Sequence, residues 1–176
     1  MIGISDTNFD TAGYLAAQTG KSLDLQALRS RAHAYRLKVQ STLTALPGVN
    51  ETIQSAHRLG LRLAIASSSG RLRLEGYLRQ LGLFDDFDPI ICREDVLQIK
   101  PAPDLFLKAQ EMLKLRSDEL LIFEDSQNGI LAGTRAGIRV VAVPNPITVY
   151  DTHEGASLLL NSLADMPLEE LLKQFA

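Results

Sequence analysis

Three short stretches hold residues whose types and placement could do chemistry. The apolar run Leu120–Phe123 ends on two adjacent acids, Glu124 and Asp125. Neighbouring carboxylates repel one another unless a cation lies between them. Mg²⁺ suits such a pair, because it takes one or two protein carboxylates together with waters and phosphate oxygens. An Asp capping the next helix would account for one of these acids but not for both. The second stretch is Ser67-Ser68-Ser69, directly after the apolar run RLAIA, Arg62–Ala66. Hydroxyls and free backbone N–H groups at a strand-to-helix turn can hold phosphate oxygens, whereas a helix N-cap needs only one Ser. The third is Lys100, followed by Pro101 and Pro103. Pro101 biases Lys100 toward extended backbone. A lysine fixed there is a compact charge for a phosphoryl group or a carboxylate, although an ordinary surface lysine is the simpler alternative.

These residues need elements to position them, and the pattern supplies a regular series. Arg62–Ala66 reads as a strand, and 71–81 as a helix stopped by Gly82. Pro89–Cys92 reads as a short strand, and Pro103–Leu115 as a helix with proline at its start. Leu120–Phe123 is the third strand, followed by a helix over 127–136 with Ser126 as its N-cap and Gly137 at its end. Arg139–Val143 is a fourth strand, broken by Pro144 and Pro146, and a last helix follows Pro167. Apolar strands alternating with amphipathic helices predict an α/β fold, a Rossmann-like parallel sheet with helices on both faces. Ligands of such sheets bind beyond the carboxyl ends of the strands, which is where all three stretches fall.

The first part of the chain differs. Phe9–Gln18 and Asp24–Ala45 read as helices separated by Gly20, and Leu46-Pro47-Gly48 closes the segment before a further helix over 49–59. The expected organisation is a partial helical cap at the N-terminus, residues 1–46, followed by an α/β core, residues 47–176.

The 176 residues suffice for one domain with a real core. A net charge of −3 gives no electrostatic footprint for nucleic acid or an anionic membrane. No apolar run approaches the roughly 18 residues of a membrane span, and MIGISDTNFD lacks the pattern of a secretory signal. The single cysteine, Cys92, leaves no internal disulfide and fits a reducing, cytoplasmic setting as a small buried hydrophobe.

The order Ser, Lys, Glu-Asp at the ends of three successive strands resembles the haloacid dehalogenase (HAD) superfamily, in particular the beta-phosphoglucomutase-like group of sugar-phosphate phosphatases and mutases. The matching segments are LAIASSS, IKPAPDLF and IFEDSQNG, with VVAVPNPIT and SLADMPLEELL also similar. The resemblance implies that Ser67 and the Ser68 backbone hold a phosphoryl group, and that Lys100 bridges it to the nucleophile. It implies that Asp125 binds Mg²⁺, with Glu124 assisting directly or through water. The implied substrate is a small phosphorylated metabolite, and the implied reaction is phosphoryl transfer through an aspartyl phosphate.

That chemistry needs an Asp-x-Asp pair at the end of a first core strand, ahead of the cap. IGISDTNFDTAGYLAAQTGK resembles cap helices instead. Asp6, in Asp6-Thr7-Asn8, has the outline of the motif with its acid/base replaced; Gly3 and Ser5 are poor strand residues, and Asp10 fares no better. The expectation is a shortened chain, inactive by itself, in which the strands ending at Ser67 and Glu124 face a gap. Hydrolase or mutase, or a non-catalytic protein that binds a phosphate ligand or a partner, remain the alternatives. Arg29, Arg31, His33 and Arg36 could contact substrate or form a solvated helix face. The sequence leaves the oligomeric state open.

Overall fold

The computed structural model describes residues 11–21, 23–40 and 42–175. The chain divides between Thr44 and Ala45 into two compact units. In the first, α1 is Thr11–Thr19 and α2 is Leu25–Gln40. Asp24 starts α2 by accepting the N–H groups of Gln26 and Ala27 at 2.9 and 3.0 Å. The helix ends at Gln40, five residues short of the predicted Ala45, where hydroxyl residues lower the helix propensity. Arg29, Arg31 and His33 are exposed. Asp6 and Asp10 lie outside the described residues, as does the side chain of Arg36.

The second unit opens with α3 (Val49–Arg58), β1 (Ile65–Ala66) and α4 (Arg71–Leu81). It continues through β2 (Ile90–Ile91), α5 (Asp104–Leu113), β3 (Leu121–Glu124) and α6 (Gln127–Arg135). It closes with β4 (Arg139–Ala142), β5 (Leu158–Leu159) and α7 (Leu168–Lys173). Gly82 ends α4 in the left-handed region, at φ 70°, as the sequence predicts. The predicted strands are shortened at their ends, and Glu124 belongs to β3 instead of following it. β5 is an addition.

Every strand pair is parallel. The strands pair in two sets, β1–β2 and β3–β4–β5, and no ladder joins β1 to β3 among the described residues. The extended course of β1 begins before its ladder: the Asp88 N–H donates to the Leu63 carbonyl and the Ile65 N–H to that of Pro89.

Alternation along β3 and β4 sends side chains to two faces. Ile122 and Val140 pack with Phe106 of α5 and Ile130 and Ala132 of α6. Val141 packs on the other face with Ala56 of α3 and Leu168 and Leu171 of α7. Helices on both faces complete the doubly wound arrangement. α5 serves both sets of strands, because Leu105 and Ala109 pack on Ile91 and Phe106 packs under β3. Ala66 touches both of those clusters. Cys92 is completely buried, and burial pushes its thiol pKa up, away from a reactive thiolate. Among the described residues no helix is long and apolar enough to cross a membrane.

Candidate active site

Glu124 is the best-fastened residue of the site. Its carboxylate pairs with the Lys100 ammonium through Oε1. Its Oε2 accepts from the Asp125 N–H at 3.1 Å, the Ser126 N–H at 3.3 Å and the Ser126 hydroxyl at 3.2 Å. Glu124 is buried and Lys100 largely so, with 6% and 13% of their side chains exposed. A buried charge is tolerated when paired and hydrogen-bonded like this. Lys100 also lies 4.7 Å from the Phe106 ring centre.

The start of α6 is built around that carboxylate. The Ser126 hydroxyl accepts the Gly129 N–H at 3.2 Å, the predicted N-cap. A Cβ at Gly129 would stand 1.9–2.2 Å from the Glu124 carboxyl atoms, so only glycine leaves room for it.

Asp125 is turned differently. It is exposed to solvent, and its Oδ2 accepts from the Asn145 amide at 2.6 Å. Asn145 is itself fixed, because its Oδ1 accepts from the Ile147 and Thr148 N–H groups at 2.7 and 3.2 Å. Partial desolvation, then the charge of Glu124, push the Asp125 carboxyl above the usual carboxylate range, while Asn145 and Lys100 work against the rise. Open water on one side softens the push. A hard cation beside Asp125 would relieve the repulsion, and one or two carboxylates with waters are a fitting donor set for Mg²⁺. Asp125 can offer oxygen directly, whereas Glu124 has both oxygens engaged.

The serine turn follows β1. The Ser67 hydroxyl accepts the Ser69 N–H at 3.1 Å, which leaves its own hydrogen to donate. The Ser68 hydroxyl is buried and has no partner. The Ser68 N–H likewise meets no acceptor among the described residues. Orphaned donors at one turn call for a bound acceptor or ordered water.

Sequence reasoning named Ser67, Ser68, Lys100, Glu124 and Asp125. The structure joins Lys100, Glu124 and Asp125 directly and sets the serine turn at the end of β1. It adds Asn145 as the partner of Asp125 and Gly129 as the floor beneath Glu124. Asn145 carried only the signal of PNP following an apolar strand, and Gly129 only its place in EDSQNG.

Parallel strands sandwiched by helices, with Ser67 after β1, Lys100 between β2 and α5, and Glu124-Asp125 at the end of β3, define a Rossmann-like α/β protein with its polar groups on the loops that follow the strands. Residues 4–143 match the haloacid dehalogenase-like hydrolase family, and the chain belongs to it. YhcW of Bacillus subtilis is 41% identical over 90% of this chain and 72% of its own length. CbbY of Rhodobacter sphaeroides, solved with xylulose-1,5-bisphosphate, is 30% identical with a TM-score of 0.70, covering 79% of this chain and 64% of that one. A HAD family hydrolase of Deinococcus radiodurans, solved with phosphate and sodium, is 28% identical with a TM-score of 0.80 over 98% of this chain and 78% of that one. The chain spans only 34% and 54% of the length of two further curated relatives.

Proposed function

We propose that this chain carries the phosphate- and metal-binding groups of a Mg²⁺-dependent phosphohydrolase acting on a small phosphate ester, a sugar phosphate. The observation that carries the reading is the serine turn with its unpartnered Ser68 hydroxyl and N–H, on the same α/β unit as Lys100, Glu124 and Asp125. Membership of the family supports it, as does the sugar bisphosphate bound by CbbY.

In this reading the Ser67 O–H and the Ser68 N–H and O–H donate to phosphoryl oxygens. Lys100, aimed by Glu124, balances charge between the phosphoryl group and its attacker. Asp125 would ligate Mg²⁺, with Asn145 holding its carboxylate in place and Glu124 reaching the ion through water. Bound Mg²⁺ would neutralise phosphoryl charge as it develops. The attacking group is an aspartate carboxylate oxygen, which displaces the ester oxygen at phosphorus, and water then cleaves the acyl phosphate. The groups described here include no Asp in that position. Asp6 remains the candidate within the 176 residues, and the chain by itself is expected to turn over little or nothing. Transfer of the phosphoryl group back to the sugar, as in a mutase, uses the same groups.

That no attacker stands among the described residues also favours a second reading, a non-catalytic protein that binds a phosphorylated metabolite or a partner. A cytoplasmic setting and no nucleic-acid or membrane partner accord with the charge of −3 and the single cysteine.

Titration of the 176-residue chain with inorganic phosphate, with and without Mg²⁺, tests the reading. Weak, Mg²⁺-dependent binding that Asp125→Ala abolishes is expected. No binding in either condition would remove the phosphate site. Mg²⁺-dependent release of phosphate from an aryl phosphate, lost in Asp125→Ala, would overturn the view that the nucleophile is missing.

A further inference from the structure

The residues after β2 clasp the serine turn, and one of them is not used up in doing so. Arg93, Glu94 and Asp95 form a single 3-10 turn. The Arg93 N–H donates to the Ser69 carbonyl at 3.2 Å, and its Nε donates to the Ser68 carbonyl at 3.3 Å. Glu94 accepts the Arg71 N–H at 3.1 Å, and its carboxylate fills the space where a Cβ of Gly70 would stand. Asp95 pairs with the Arg71 guanidinium and accepts the Cys92 N–H at 2.7 Å. Both acids are therefore turned toward Arg71 and the backbone.

Arg93 is exposed, and among the described residues no carboxylate lies within ion-pair distance of it. Lys100, the other cation of the site, already faces Glu124. The guanidinium of Arg93 is thus tied through Nε to the carbonyl of Ser68, whose hydroxyl is orphaned, and its terminal nitrogens have no partner among the described residues. Its planar fork matches a phosphate or carboxylate.

We infer that Arg93 is a specificity-determining residue that receives a second oxyanion group on the substrate, so that the preferred ligand is a small metabolite with two anionic groups. This rests on the phosphate-site reading above. The reacting phosphoryl group would sit on the serine turn, and the second group would lie over the 3-10 turn, outside the reacting centre. A charge-assisted bond of this kind is worth roughly a tenfold difference in affinity or more.

The test uses the full chain with Mg²⁺ and three probes: inorganic phosphate, fructose 6-phosphate and fructose 1,6-bisphosphate. The bisphosphate is expected to bind about tenfold tighter than the monophosphate. Arg93→Gln should erase that preference, read as the ratio of the two sugar affinities so that any loosening of the Ser68 carbonyl contact cancels, and Arg93→Lys should restore part of it. Thermal melting of both variants shows that the fold is kept. Inorganic phosphate binding with equal affinity for the two sugars, or a preference that survives Arg93→Gln, would overturn the assignment while leaving the phosphate site standing. Failure of inorganic phosphate itself to bind would remove both readings together.

Discussion

The two sets of strands present their functional groups in opposite ways. β3, β4 and β5 form a sandwiched platform, with Ile122 and Val140 packed on one face and Val141 on the other. On it stands a buried, fully bonded carboxylate, Glu124. β1 and β2 pair over only two residues each, and their serine turn is held near the surface by Arg93, whose own turn is anchored through Glu94 and Asp95 on Arg71. An ion pair aimed at a reacting group must hold its geometry in a dry setting, where an unpaired charge is expensive. A phosphate-binding turn instead has to leave donors free, so its scaffold is built from contacts that spare the Ser68 hydroxyl and N–H.

The comparison predicts that equivalent truncations differ greatly in effect. Lys100→Ala would leave the Glu124 charge buried without its partner and destabilise the fold by about 3–5 kcal/mol. Urea denaturation checks this, and a loss below about 1 kcal/mol would mean that the acid side is no stiffer than the serine side. Gly129→Ala places a methyl group against the Glu124 carboxyl. It should destabilise by roughly 1–3 kcal/mol and weaken Mg²⁺ binding along with stability. An unchanged melting temperature would show that α6 can shift away from β3.

On the other half, Arg71→Ala removes partly exposed ion pairs with Glu75 and Asp95 and should destabilise by at most about 1 kcal/mol. Its clearer mark would be weaker phosphate binding, because the 3-10 turn that carries Arg93 loses the Asp95–Arg71 pair that anchors it. The smallest effect is a pH slope. Asp125 holds its proton more tightly folded than unfolded. Its contribution to stability is therefore full below the ordinary carboxylate pKa and is lost as pH rises through the raised value. Subtracting the pH–stability curve of Asp125→Asn from that of the parent, without Mg²⁺, should leave a shallow downward slope. An upward difference would contradict the direction of the shift.

Much of this was legible in the sequence because it is local. An apolar run followed by Ser67 or by Glu124-Asp125 marks a strand end, and the hydroxyl of Ser126 bonds only three residues ahead, to Gly129. Gly82 likewise announces the end of α4 in its own conformation. What stayed hidden depends on contacts made across the fold. Asn145 reaches Asp125 over a separation of 20 residues, and nothing near either residue states the pairing. Glu94 reaches Arg71 in the same way. β5 escaped because two residues, Leu158 and Leu159, are too few to show a period. The shortening of β1 and β2 follows from a ladder that only the partner strand can define.

The ion pair between Lys100 and Glu124 also has a mechanical meaning. Lys100 follows β2 and Glu124 ends β3, so one largely buried contact is a polar rivet between strand sets that share no ladder among the described residues. The Arg135 guanidinium adds a second fastening, donating to the Pro101 carbonyl at 2.7 Å. Breathing of one set need not open the other. Amide protons of Ile65 and Ser67 can then exchange with solvent on their own clock, while those of β3 and β4 wait for the whole platform to come apart.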